Sequence, residues 1–382
     1  MPAVNSSSES SIPLQREPIH VVHVVESFAA GCLVALATLC HTVRDGIQHS
    51  IIHALRPESP ERFVELFPAN VAFYFLPMTR SIRLGADLRA FKQLCVMLRR
   101  IQPDVVHCHS SKAGFLGRWA ARREGLPSVY TPHGYAFLRT DVGSLQRACF
   151  KIAEWVAARA GNAIVACGEE EYALSRWLAG RNDQVFCIPN SLNLVEADAL
   201  LRTAPPARLR PDAVMVGTCG RLEPQRNPAL FSALVLMLKD EVRWTWIGAP
   251  RQNAALPPQV ECPGWLSRGE ALARLAALDV YVQTSLWEGL SYAVLEAMAL
   301  GKAVVATDIP ANRNIVRHGV TGFLGSTPQE LASHVHRLVH DAPLRRRMGA
   351  AARRCVEERH DAQKAYLAYD RLYHGLAGDG KP

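Results

Sequence analysis

Val280-Tyr-Val-Gln-Thr-Ser-Leu-Trp-Glu-Gly-Leu-Ser-Tyr-Ala-Val-Leu-Glu-Ala-Met-Ala-Leu-Gly-Lys-Ala-Val-Val-Ala-Thr307 decides the fold. Val280–Gln283 reads as a short strand, Tyr292–Ala299 as a helix and Ala303–Thr307 as a second strand. Upstream, Val214–Thr218 and Arg243–Ile247 are strand-like, with helical patterns over Ala229–Leu238 and Ala271–Ala277. The first half repeats the rhythm, with strands expected at Ile19–Val25, Ser50–Ala54, Ala72–Leu76, Val105–Cys108, Val129–Thr131 and Ala163–Cys167. Helices are expected between them at Leu33–Val43, Asp87–Arg100, Gly114–Arg123 and Ala148–Ala160, with Glu169–Leu178 after the last. Strands alternating with helices imply parallel sheets covered on both faces. The expected fold class is therefore α/β, with two doubly wound Rossmann-like domains facing across a cleft.

Boundaries follow from composition. Residues 1–17, rich in Ser and Glu, read as a disordered tail. Residues 18–195 form an N-terminal domain, 196–360 a C-terminal domain, and 361–382 a C-terminal helix that crosses back. Ala204–Pro211 carries three prolines and reads as a surface connection within a junction near residues 190–212. Leu331–Leu376 is helical, rich in Arg and Ala, and unmatched by further strands.

With 382 residues the chain exceeds one ordinary core, and 49% apolar against 20% charged residues excludes wholesale disorder. A net charge of +8 favours an anionic partner: nucleic acid, an acidic membrane or a phosphorylated substrate. Arg80, Arg83, Arg89, Lys92, Arg99 and Arg100 cluster in one helical region, as a solvated face or a membrane-docking one. No interleaved aromatic–basic platform supports nucleic acid. Ten cysteines lack regular spacing, and several lie in apolar runs, so free thiols in a reducing cytoplasm are expected. The longest apolar run, Phe28–Cys40, is too short to span a bilayer.

In such folds ligands bind beyond the carboxyl ends of the strands. After Val214–Thr218 come Gly220, Arg221 and Arg226, two guanidinium groups suited to a diphosphate. The plain alternative is a solvated loop with Arg221 paired to Glu223. Before the helix at Tyr292, the unpaired N–H groups of Gly289, Leu290 and Ser291 make an anion site beside Glu288. Glu296, in an apolar helical run, needs a partner, either a ribose with adjacent hydroxyls or a structural arginine. His133, after a strand end and before Gly134, reaches a substrate hydroxyl or phosphate, or is a satisfied structural group. His107 and His109 share one side of a strand; with no third ligand in view, no metal is expected. Ser110–Gly114 could open a helix against an anion, and no D-x-D clamp occurs.

Glu288 and Glu296 form the E-x(7)-E pattern of retaining GT-B glycosyltransferases of family four, which Glu288–Thr307 resembles closely. Gly220-Arg221-Leu222 with Arg226 resembles the diphosphate loop of that family, and His318–Phe323 its closing turn. Asp104–Gly114 and Thr131–Phe137 resemble members that build bacterial surface polysaccharides. The resemblance implies that Arg221 and Arg226 hold the diphosphate, Glu288 contacts the sugar, and Glu296 binds the ribose. It places Cys262–Leu266, with Trp265, at the nucleobase and His133 near the transferred sugar. Ser27, Gly31, His109 and Lys112 then fall on the acceptor side, in an acceptor-binding N-terminal domain. Two departures stand out: Arg226 replaces a usual Lys, and Ala30-Gly31 replaces a Gly pair. The implied partners are a UDP- or GDP-sugar and a glycan or polyprenyl-diphosphate-linked acceptor, used in O-antigen, capsule or exopolysaccharide assembly. No cofactor and no metal are implied, and the expected location is cytoplasmic, peripheral on the inner membrane face. The alternatives are a nucleotide-sugar epimerase on the same fold and a non-catalytic nucleotide-sugar-binding protein.

Overall fold

The structure is a computed structural model. It describes residues 18–180, 184–203, 214–238, 241–251 and 255–379. The expected tail over residues 1–17 and the connection over Ala204–Pro211 lie outside the described residues.

Seven parallel strands form the first sheet: β1 (Ile19–Val25), β2 (Ile47–His53), β3 (Ala72–Phe75), β4 (Val105–His109), β5 (Ser128–Thr131), β6 (Ala163–Ala166) and β7 (Val185–Cys187). Their order is β3-β2-β1-β4-β5-β6-β7, so the chain reverses direction between β1 and β4. Six more form the second sheet: β8 (Met215–Cys219), β9 (Arg243–Ile247), β10 (Val260–Glu261), β11 (Val280–Gln283), β12 (Ala303–Thr307) and β13 (Gly322–Gly325). There the order is β10-β9-β8-β11-β12-β13, reversing between β8 and β11. Such reversals open crevices at the strand ends, and the loops after β1, β4, β8 and β11 carry the candidate residues.

The helices are α1 (Ala30–Thr42), α2 (Leu84–Ile101), α3 (Ser111–Arg123), α4 (Ser144–Ala157), α5 (Glu169–Ala179) and α6 (Leu194–Thr203) in the first part. The second part adds α7 (Pro228–Met237), α8 (Arg268–Ala276), α9 (Tyr292–Ala299), α10 (Pro310–Arg313), α11 (Pro328–His340) and α12 (Ala342–Arg359). The chain then returns through α13 (Ala362–Ala365) and α14 (Leu367–Asp379). Leu192 and Asp361 bridge side by side at this return. From there Tyr366, Tyr369, Leu372, Tyr373 and Leu376 pack against Ile19, Val21, Val105 and Val129 of the first sheet.

The apolar strands behave as parallel-sheet physics demands: β4, β5, β6, β11 and β12 are buried at every position. One face of the first sheet departs from that rule. His23, His49, His53, His107 and His109 are all buried on it, under α1 and α14. A second buried polar group braces the opposite face. Arg118, 1% exposed, bonds Glu154 at 2.8 Å and stacks 3.9 Å above the Tyr130 ring, whose hydroxyl donates to the same carboxylate.

Candidate functional site

The two sheets face each other across a cleft of about 1130 Å³. It is lined by Glu26, Ser27 and Gly31 after β1, Ser110 to Lys112 after β4, and His133 after β5. From the other side come Gly220, Arg221 and Glu223 to Arg226 after β8, Trp265 and Arg268 before and within α8, and Glu288 to Ala293 with Glu296. The walls touch where Gly289 meets Gly134. A Cβ on Gly289 would lie 2.6 Å from the Gly134 nitrogen, so the close approach excludes any side chain there.

Gly220 sits at φ 145°, and a Cβ there would come 3.0 Å from Arg226 Nε. The missing side chain lets the Arg226 guanidinium fold back over the end of β8. Its Nη1 lies 3.1 Å from Glu288 Oε1 but is poorly aligned, and this buried atom makes no hydrogen bond. Burial opposes the charge of Arg226, and Glu288 outweighs it only together with Tyr281, Cys219 and Glu223, so the pKa is raised. Glu288 is gripped more firmly from elsewhere, by Gln283 Nε2 at 3.0 Å, Ser285 Oγ at 2.8 Å and Gln225 Nε2 at 3.2 Å. Gln225 and Gln283 are site residues that sequence reading missed, because a lone Gln carries no spacing signal. The N–H groups of Gly289, Leu290 and Ser291 find no protein acceptor among the described residues. They stand at the start of α9, where the helix dipole favours an anion.

The plainer alternatives for the other cations are also realised. Arg221 Nη1 lies 3.0 Å from Glu223 Oε1, and burial pulls its pKa down despite that neighbour. Arg268 Nη1 lies 2.7 Å from Glu296 Oε1, so Glu296 has a structural arginine in this state. Both pairs remain in the cleft wall, where a phosphate and a ribose would compete for them. Trp265 is 59% exposed at the cleft edge.

On the facing wall, Lys112 bonds Asp87 Oδ1 at 2.7 Å and Ser81 O at 2.5 Å, so its ammonium is partly spent. Ala30 has φ 47°, a left-handed conformation that favours glycine and explains the physical meaning of the usual Gly pair. Arg56, which grips Glu26 with two 2.7 Å bonds, is a further cleft residue the sequence did not single out.

Two expectations need correction. His109 does not face the cleft. It is 2% exposed in β4 and reaches the cleft only through His133, whose Nε2 is 3.0 Å from its Nδ1. As the last residue of β4 it points into the layer beneath, which spacing alone did not reveal. The missing third imidazole also exists, since His23 of β1 lies beside His107 and His109. The ring nitrogens of these three are nonetheless engaged with other rings or hydroxyls at 2.7–3.0 Å. Arg80 lies before α2 and stays exposed, but its guanidinium reaches within 3.7 Å of Glu223 at the cleft.

Comparison with known proteins agrees with this architecture. Residues 206–355 match the family described as glycosyl transferases group 1, and residues 35–191 match the glycosyl transferase 4-like domain. A GDP-mannose-dependent alpha-mannosyltransferase of Mycolicibacterium smegmatis is 30% identical over 306 residues, 73% of this chain and 75% of that protein. The UDP-Gal:alpha-D-GlcNAc-diphosphoundecaprenol alpha-1,3-galactosyltransferase of Escherichia coli is 29% identical over 281 residues, 67% of this chain and 71% of that protein. Among solved structures, HepE of Anabaena in complex with UDP and glucose superposes with a TM-score of 0.73 at 18% identity, over 94% of this chain and all of that one. Sucrose-phosphate synthase of Thermosynechococcus elongatus gives 0.74 at 18% identity, over 94% of this chain and 100% of that one. With its two facing parallel sheets and both halves matched, the chain belongs to the group 1 glycosyl transferases and is a glycosyltransferase of the GT-B fold.

Proposed function

We propose that this glycosyltransferase binds a nucleoside-diphosphate sugar, UDP- or GDP-linked, and transfers the sugar with retention to a glycan or polyprenyl-diphosphate-linked acceptor. The observation that carries the reading is the set of unanswered donors at one point of the cleft. Buried Arg226 Nη1 has no hydrogen bond, and three N–H groups open α9 beside it. A departing diphosphate gathers negative charge on its leaving oxygen, and fixed donors offset that charge without reorganising. Protein cations stand where a metal would otherwise be needed, so transfer is metal-independent in this reading. Glu296, released from Arg268 or sharing it, takes the ribose hydroxyls, and Trp265 borders the base. Glu288, oriented by Gln225, Gln283 and Ser285, faces the sugar. No separate carboxylate base is required if the leaving phosphate oxygen accepts the acceptor's proton.

Bacterial surface polysaccharide assembly is the proposed setting. It is supported by the Escherichia coli relative's diphosphoundecaprenol acceptor and by the exposed apolar residues of the first domain. Leu145, Ile152 and Trp155 of α4 and Ile82, Leu84 and Leu88 around the start of α2 are exposed beside Arg83 and Arg89. No helix among the described residues is long and apolar enough to cross a membrane. Peripheral docking on an anionic bilayer is thus part of the proposal, and vesicle binding that salt does not weaken would remove it.

The deciding experiment is a thermal-shift screen of UDP- and GDP-sugars, followed by product analysis. A true donor raises the melting temperature by mass action. Arg226→Ala should abolish the shift and lower turnover by about 100-fold or more. An altered nucleotide sugar formed without acceptor would instead mark an epimerase, and binding without turnover a sensor.

A further inference from the structure

The buried histidines of the first sheet form a connected series. His49 Nε2 contacts the Val43 carbonyl. His49 Nδ1 lies 2.9 Å from His23 Nε2, and His23 Nδ1 lies 3.0 Å from His109 Nε2. His109 Nδ1 is 3.0 Å from His133 Nε2, and His133 Nδ1 ends the series 3.7 Å from Cys167 Sγ. The line therefore runs from beneath α1, through the middle of the sheet, to the cleft wall.

A carbonyl oxygen only accepts, so His49 must carry its proton on Nε2. A neutral imidazole has one N–H, which leaves His49 Nδ1 a lone pair that His23 Nε2–H must answer. The same logic fixes His109 and then His133. Burial holds each ring below its ordinary pKa, so neutrality is the expected state. His107 stands beside the series without joining it, bonded to Tyr373 Oη at 2.7 Å and Thr131 Oγ1 at 2.8 Å.

We infer that His49, His23 and His109 are positioning residues that lock His133, a residue of the cleft wall, as the Nε2–H tautomer, leaving an acceptor lone pair at Nδ1. Every N–H in the series points away from the cleft, and successive polarised hydrogen bonds strengthen one another. Nδ1 of His133 then recognises a hydrogen-bond donor, a hydroxyl or thiol, and does not answer an anion. The Cys167 thiol is the donor within reach in this state. The consequence for a sugar hydroxyl rests on the function proposed above, but the tautomer itself does not.

The test is nitrogen-15 NMR of the full chain labelled at histidine, without ligand, at pH 7.5. His49, His23, His109 and His133 should all show the Nε2–H pattern. His49→Phe removes the anchor and should leave the other three as mixed tautomers. His49→Gln keeps the polarity, since its amide can donate to Val43 and accept from His23, and should restore the single pattern. An Nδ1–H or cationic His133 in the natural protein would overturn the inference, as would tautomers untouched by His49→Phe. So would one metal ion per purified chain held by these rings. Because no sugar is present, failure here is separate from failure of the proposed transfer reaction.

Discussion

Lowering pH from 8 to 5 should destabilise the protein sharply, before most carboxylates begin to titrate. The perturbed group of clearest magnitude is His49, 3% exposed, whose pKa burial lowers from 6.5 to about 4. Above pH 6.5 neither state binds its proton. Below it the unfolded chain takes up a proton that the folded chain refuses, so stability falls until the folded pKa near 4 is reached. At pH 5 that difference is worth about 2 kcal/mol for His49 alone. His133, partly buried at the cleft wall and also lowered to about 4, adds in the same direction. His23, His107 and His109 are pushed down too. Glu170 and Glu171, whose pKa values burial raises, work the opposite way but are only two groups. A loss of roughly 4 kcal/mol or more is a large share of a typical folding free energy of 5–15 kcal/mol. Urea unfolding at pH 8, 7, 6 and 5 measures it, and His49→Gln should flatten the slope by roughly 1.4 kcal/mol per pH unit. A total loss below about 1 kcal/mol between pH 7 and 5 would refute the reasoning.

Three further outcomes are expected. Glu154→Ala strands the buried guanidinium of Arg118 and should cost about 3–5 kcal/mol in urea unfolding, with Tyr130 losing its acceptor as well. Ala30→Gly should stabilise by about 0.5 kcal/mol or more, because the left-handed conformation costs alanine more than glycine's added chain entropy. Gly289→Ala forces a methyl against the Gly134 nitrogen and should prise the cleft walls apart. Steady-state kinetics should then show kcat/KM down by tenfold or more, and an unchanged value would mean that the contact is not needed for turnover.

Most of the chain's architecture was legible because parallel strands buried on both faces leave runs such as Val280–Gln283 and Ala303–Thr307, recovered at their observed ends. What escaped had a physical reason. β13, Gly322–Gly325, is half glycine, and β10 is two residues long, so neither offers a run of β-branched residues. α6 lies in the segment expected to join the domains, where nearby prolines masked its periodicity. In the cleft, Arg221, Arg226 and Glu288 are visible as charges after strand ends and Glu296 as a charge in an apolar helical run, and all line it. Their pairings with Glu223, Glu288 and Arg268 were weighed only in part. Arg268 sits 28 residues from Glu296, and no local pattern links them. The histidine series was invisible for the same reason: its members come from β1, β2, β4 and the loop after β5, and only register aligns them.

The return of α14 to the first sheet bears on how the protein is made. Tyr369, Tyr373 and Leu376 cover the histidine-bearing face of β1 and β4, yet they are among the last described residues of the chain. The second lobe has all its strands and its long helices by Arg359. On a ribosome the usual order of assembly is therefore inverted. The lobe begun first must wait, with His107 uncovered, until α14 emerges, while the lobe begun second can close as soon as it is translated.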